Sequence, residues 1–251
     1  MGPFATAQQL FAGALVFARI AALVMTMPGF GDSPAPSRAR LSFALLMCLV
    51  VTPVVYPGLP AIPQSLGDLA AAVIREALIG LGIGAILRAF FAAMATAGEV
   101  ISISTTLSFA QTANPTQAQQ NTTLATFLSL MGAVLVFATD LHHFFIGAMV
   151  RSYTLFPFGH APPVADFGQL MIRTTGGAFA LGVQLAAPVL VFSLVFNIAT
   201  GLVGRAMPQF QIFFAATPLQ VLLGLSLFAL SLGVMGTFWI DRYRDVLAAF
   251  G

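Results

Sequence analysis

The stretch LSFAQTANPTQAQQNTTLATF, residues 107–127, decides how this chain is read. It runs through Gln111, Thr112, Asn114, Thr116, Gln117, Gln119, Gln120, Asn121, Thr122 and Thr123 without one ionised side chain, in a protein that is 59% hydrophobic and only 7% charged. Loops at a membrane surface ordinarily carry charge because water solvates it. A long neutral polar run therefore implies surroundings that are neither lipid nor open water.

On either side of it lie apolar segments long enough to span a hydrocarbon layer of about 30 Å, which takes roughly 20 helical residues. They fall near 4–27, 69–97, 123–150, 175–203 and 211–240, with a shorter one at 41–55. Turn-rich stretches separate them: PGFGDSPAPSR at 28–38, YPGLPAIP at 56–63, the neutral run, and FPFGHAPPVADFG at 156–168. The pattern predicts an all-α, membrane-associated protein of about six long helices, arranged as one domain over 1–251. A mean hydropathy of +0.95 exceeds what a soluble core requires. The N-terminal run lacks a basic leader and carries Arg19 among its apolar residues, so it reads as part of the mature protein rather than a signal peptide.

Charge excludes further classes. The net +2 comes from ten scattered arginines, which is no footprint for nucleic acid. A single cysteine, Cys48, allows neither an intrachain disulfide nor a thiolate metal cluster. Zinc-protease, nucleophile-elbow and P-loop motifs are missing, so the sequence offers no catalytic site and no cofactor. Neighbouring His142 and His143 diverge by about 100° on an ideal helix, which argues against a shared metal ion.

Arg19, Arg75, Glu76, Arg88 and Asp140 sit inside the apolar segments, where each charge at a bilayer centre costs about 2.5–3.5 kcal/mol. Either they pair within a bundle or the helices do not face lipid. Arg88 and Glu99 share a helical face but are separated by roughly 16 Å of rise, so their partners lie elsewhere, with other chains as candidates. Arginine counts in the loops show no inside bias either. In EALIGLGIGAIL, residues 76–87, Gly80 and Gly84 have the spacing of a close helix contact, within the chain or to a partner. Transport of a small solute by a secondary transporter is the alternative function. Pro188 and Asn197 could break one helix as transporter sites do, but the first half shows no counterpart.

Four stretches together resemble the FliR/SctT family of flagellar and injectisome export gates. They are MPGFGDSPAPSRARLSFALLMCLVVTP at 27–53, GEVISISTTLSFAQTANPTQAQ at 98–119, HHFFIGAMVRSYTLFPFG at 142–159, and APVLVFSLVFNIATGLVGRAMPQFQIFFAATPLQVLLGLSLF at 187–228. Their order and spacing carry the resemblance, above all Arg205 to Gln209 followed by Phe213 and Pro218, and they favour the flagellar branch. The resemblance implies helical hairpins like a fusion of FliP and FliQ, and a structural subunit that forms with FliP-like and FliQ-like partners the channel entrance for unfolded export substrates. FlhB-like and FlhA-like export components and membrane lipid would be further partners, in the bacterial inner membrane at the flagellar basal body.

On that resemblance residues 107–122 form a plug inside the channel, with Phe109, Gln111, Asn114, Pro115 and Gln117 as its candidate residues. Asn114 replaces an acidic residue common before the proline, and Thr105 and Thr106 replace positions usually richer in glycine. A merely polar interhelical loop is the alternative. Arg205, Pro208 and Gln209 become a hairpin tip or partner contact. Arg75, Glu76, Arg88 and Glu99 are expected as buried charges for subunit contacts.

Overall fold

The structure, a computed structural model, describes residues 3–27, 36–58, 61–108, 122–160, 164–209 and 211–248. Among these, seven α-helices follow in order: α1 Pro3–Thr26, α2 Ser37–Val55, α3 Leu66–Ser104, α4 Thr123–Ala138, α5 Leu141–Leu155, α6 Val164–Ala206 and α7 Ile212–Ala248, with a short 3₁₀ turn at Tyr56–Gly58. No strand occurs among the described residues, as the all-α expectation required.

Five of the helices, α1, α2, α3, α6 and α7, are individually long and apolar enough to cross a membrane. The apolar stretch expected as one segment at 123–150 is broken. Asp140 adopts a left-handed conformation, φ 58°, between α4 and α5. Aspartate tolerates that conformation better than most residues, and no glycine or proline marks the break in the sequence. Counting α4 and α5 as one broken crossing brings the total to six. α6 runs unbroken through Pro188, so the helix break expected there of a transporter is not found.

Three helices are longer than a bilayer needs. α3, α6 and α7 have 39, 43 and 37 residues, which at 1.5 Å per residue is on the order of 55–65 Å, about twice the hydrocarbon thickness. Large parts of each must tilt strongly or stand outside the hydrocarbon, which makes room for charges along them.

The chain divides into two compact units, residues 1–90, 139–175 and 244–251 in the first and 91–138 with 176–243 in the second. α3, α6 and α7 contribute to both. In the first unit α1 buries Ala12, Leu15, Val16, Ile20, Leu23 and Val24, a stripe at helical spacing. Ile79 and Ile83 of α3 and Leu141, Phe145 and Met149 of α5 add to that core. Gly80 and Gly84 let α3 approach α1: a Cβ at Gly80 would collide with the Arg19 carbonyl, and one at Gly84 with the Thr26 hydroxyl. Of the two readings of this glycine spacing, the intrachain contact is present.

The second unit buries Met94, Ala97 and Ile101 of α3, Leu124, Ala125 and Leu128 of α4, Leu181, Leu185 and Val189 of α6, and Phe228, Met235, Trp239 and Tyr243 of α7. Trp239 stacks on Tyr243 at 4.8 Å and meets the edge of Phe91 at 5.5 Å. Gly98 lies so close to α4 that a Cβ there would strike the Ala125 backbone.

Much apolar surface stays uncovered. Only 17% of the α2 span and 22% of the α7 span are buried inside the chain, against 56% for α3. Leu45, Leu46, Leu49, Leu222, Leu230 and Val234 are exposed. Soluble monomers rarely show contiguous apolar surface on this scale; lipid or other protein must cover it.

Candidate functional site

Arg19 occupies a core position of α1, four residues after Leu15 and four before Leu23. A guanidinium there needs partners, and the first unit supplies one to each of its nitrogens. Its Nε donates to Glu76 Oε2 at 2.6 Å, Nη1 to the Ser152 carbonyl at 2.8 Å, and Nη2 to the Phe156 carbonyl at 2.9 Å. Its charged plane lies 4.1 Å from the Tyr153 ring centre and 5.5 Å from that of Phe158, within cation–π range. The Tyr153 hydroxyl donates back to the Val16 carbonyl at 3.4 Å.

Both carbonyls that accept from Arg19 lie at the end of α5; that of Ser152 also accepts the Phe156 N–H at 2.9 Å, whereas that of Phe156 lies beyond the last helical turn. Arg19 thus caps α5 while neutralising Glu76 of α3, and ties three helices at one point. The residues that receive it, Ser152, Tyr153, Phe156 and Phe158, are those of the SYTLFPF run.

The four charges expected as buried subunit contacts separate into distinct cases. Glu76 is buried and paired inside the chain. Arg75 and Arg88 are exposed on the chain rather than buried; Arg88 lies on the face of α3 opposite Ile79. Glu99 is half-buried and its partner is in the chain: Oε1 accepts the Thr122 N–H at 2.8 Å.

That last bond lies at one end of the neutral polar run and further bonds lie at the other, all in the second unit. Thr122 precedes α4, and its own Oγ1 accepts the Ala125 N–H at 3.3 Å, an N-cap arrangement that satisfies an otherwise orphan donor. The Glu99 carboxylate lies beside the same helix start, where the backbone dipole favours negative charge. At the other end, the carbonyl of Ser104, the last residue of α3, accepts Ser193 Oγ at 2.7 Å and Gln220 Nε2 at 2.9 Å. Asn197 Nδ2 donates to Ser193 Oγ at 3.4 Å. The chain then turns through Thr106 at φ 59°, with the Ser108 N–H reaching the Ser102 carbonyl at 3.3 Å. Phe109, Gln111, Asn114, Pro115 and Gln117 lie outside the described residues.

At the connection of α6 and α7, α6 ends at Ala206 before Pro208, and Met207 closes on the Val203 carbonyl at 2.9 Å. Arg205 lies in the last turn of α6, where a cation suits the helix dipole. Arg205, Pro208 and Gln209 are all exposed.

The argument that His142 and His143 must diverge fails here. Their ring centres are 4.1 Å apart, and a nitrogen of each lies with an Asp140 carboxylate oxygen in a group whose atoms are all within 4.8 Å of one another. They stand in the first turn of α5, where side-chain torsions can swing both rings to one side. Donor atoms that share an ion at bonds of about 2.0–2.2 Å stand roughly 3–4 Å apart, and the 3.7 Å between His143 Nδ1 and Asp140 Oδ1 falls in that range.

Sequence reasoning missed Ser193, Gln220 and the Arg19 pairing. The signal for Arg19 and Glu76 was their placement on apolar stripes. For Ser193 and Gln220 it was polarity at buried positions of long apolar helices.

The model of the family "Bacterial export proteins, family 1" matches residues 10–246. The chain is 60% identical over 250 residues to the flagellar biosynthetic protein FliR of Caulobacter vibrioides, covering 100% of both chains. It is 29% identical to FliR of Pectobacterium carotovorum, covering 92% of this chain and 87% of that one, and 28% identical to FliR of Escherichia coli, covering 91% and 87%.

Proposed function

Because this chain belongs to family 1 of the bacterial export proteins, and within it to the FliR proteins of flagellar biosynthesis, we propose that all 251 residues form one non-catalytic subunit of the flagellar export gate. It sits in the bacterial inner membrane at the basal body and joins FliP-like and FliQ-like subunits around a channel entrance for unfolded proteins, with FlhB-like and FlhA-like components nearby. The full-length 60% identity to a flagellar FliR carries this reading.

The uncovered apolar faces of α2 and α7 support it, because they offer room for neighbouring subunits as well as lipid. The lengths of α3, α6 and α7 fit helices that reach beyond the hydrocarbon. Residues 107–122 act as the plug: uncharged Gln, Asn and Thr bridge water and one another without imposing a strong field on a passing chain, and Phe109 fills space. Arg205, Pro208 and Gln209 form an exposed tip for another export component. Arg75 and Arg88, exposed on α3, meet partner subunits.

Complementation tests the reading. Expressed in Caulobacter vibrioides lacking its own FliR, this chain restores flagellar assembly and swimming. Stable expression in the membrane without any flagellar assembly contradicts it.

A further inference from the structure

We propose that Asp140, His142 and His143 form a binding site for one divalent late first-row transition ion, with Zn²⁺ as the representative case. The site lies at the start of α5, wholly within the first unit, and does not depend on the export-gate reading.

The donor set selects the class of ion. Two imidazole nitrogens and one carboxylate oxygen suit Zn²⁺, Ni²⁺ or Cu²⁺. With no thiolate in the group it does not select Cu(I), and with nitrogen in the majority it does not favour Mg²⁺ or Ca²⁺. Three protein ligands leave a fourth position for water.

The geometry suits a shared ion better than any contact among the three side chains. One ligand atom from each lies within 4.8 Å of the other two. At 3.7 Å, His143 Nδ1 and Asp140 Oδ1 are too far apart for a hydrogen bond, yet stand as two ligands of one ion do. The imidazole ring centres are 4.1 Å apart and the rings are tilted by 36°. Their outer torsions are broad, and His143 is 66% exposed. The rings can therefore turn their in-plane lone pairs toward a common point without moving the backbone.

Helix capping does not account for the carboxylate. An aspartate just before a helix ordinarily accepts an N–H of the first turn through its side chain. Asp140 makes no such bond; its backbone carbonyl accepts the His143 N–H at 3.0 Å, and its carboxylate faces the imidazoles instead. That carboxylate is 78% exposed at a break between two apolar helices. It needs a counter-charge wherever the break is not open to water, and a bound divalent ion supplies one. The ion would also fasten residue 140 to the first turn of α5.

The test uses the whole particle that copurifies with this chain in mild detergent. It is stripped with a chelator and titrated with Zn²⁺ by calorimetry, with Cu²⁺ electron paramagnetic resonance as a second readout. The expected result is saturable uptake of Zn²⁺ that falls when a ligand is replaced. Losing an outer partner of a metal ligand already costs about 10–100-fold in affinity, so His143→Gln, which removes a ligand, lowers Zn²⁺ affinity by at least about tenfold. Asp140→Asn does the same, and asparagine tolerates the left-handed backbone at that position, which keeps the fold. His160→Gln, at the third histidine of the chain, changes nothing. The Cu²⁺ spectrum shows splitting from two nitrogens in the parent particle and from one in His143→Gln. Zn²⁺ affinity that is unchanged in His143→Gln and Asp140→Asn, or lowered as much by His160→Gln, overturns the site, and so does a parent particle without saturable uptake. A role confined to folding would lower the yield of particles while leaving the Zn²⁺ affinity of those that form intact, and that result overturns it too.

Discussion

Arg19 Nε and Glu76 Oε2 are 2.6 Å apart, on side chains only 1% and 4% exposed. A pair this deeply buried is sensitive to loss of either member alone, because the survivor keeps its charge without a counter-charge. Arg19→Met is expected to destabilise the first unit by about 3–5 kcal/mol. Adding Glu76→Leu to Arg19→Met recovers a substantial part of that loss. Thermal unfolding of the detergent-extracted complex checks the order; a double variant no more stable than Arg19→Met would mean that the pairing is not what Arg19 contributes.

Gly98 predicts a steric effect. A Cβ there would stand 2.5 Å from the Ala125 nitrogen and 2.7 Å from the Leu124 carbonyl carbon, so Gly98→Ala must push α3 and α4 apart. The expected destabilisation is about 1–3 kcal/mol. Gly147 has nothing within 4 Å of its would-be Cβ; Gly147→Ala in α5 is expected to be neutral or stabilising by up to about 1 kcal/mol, from helix propensity. Melting temperatures of the two variants, measured side by side, give the comparison.

Thr106 sits at φ 59°, a conformation that is a genuine outlier for a β-branched residue. Thr106→Gly removes strain of about 1–2 kcal/mol. Amide exchange at the end of α3 should slow in that variant. Faster exchange would show that the threonine side chain contributes more than its backbone strain removes.

The helices and the polar interruption could be read directly, because apolar runs of membrane length and clusters of Gly and Pro are local signals. Pairing between helices is not local. Arg19 and Glu76 lie 57 residues apart, and although each stands on an apolar stripe, nothing in the chain order says that the stripes face each other. The break at Asp140 was hidden because ATDLHH contains neither glycine nor proline and its flanks are apolar. Ser193 and Gln220 went unnoticed because one polar residue in a long apolar helix usually bonds to its own backbone. The converging His142 and His143 rings show the limit of an ideal-helix angle, which places Cβ atoms but not the rings beyond them.

Exposed apolar faces on α2 and α7 predict that the chain made alone is a poor monomer. Without FliP-like and FliQ-like subunits it is expected to aggregate on extraction and to be rapidly proteolysed, since neither lipid nor detergent supplies the shape and polar contacts of a subunit face. Size-exclusion profiles and limited proteolysis, with and without coexpressed partners, provide the check.

Mass measurement of the intact particle, extracted in mild detergent from cells expressing the whole export operon, tests the central claim most directly. The account predicts one assembly in which this chain is accompanied by two other small hydrophobic membrane proteins. A stable particle containing this chain alone, binding a small solute saturably, would contradict it and favour the transporter.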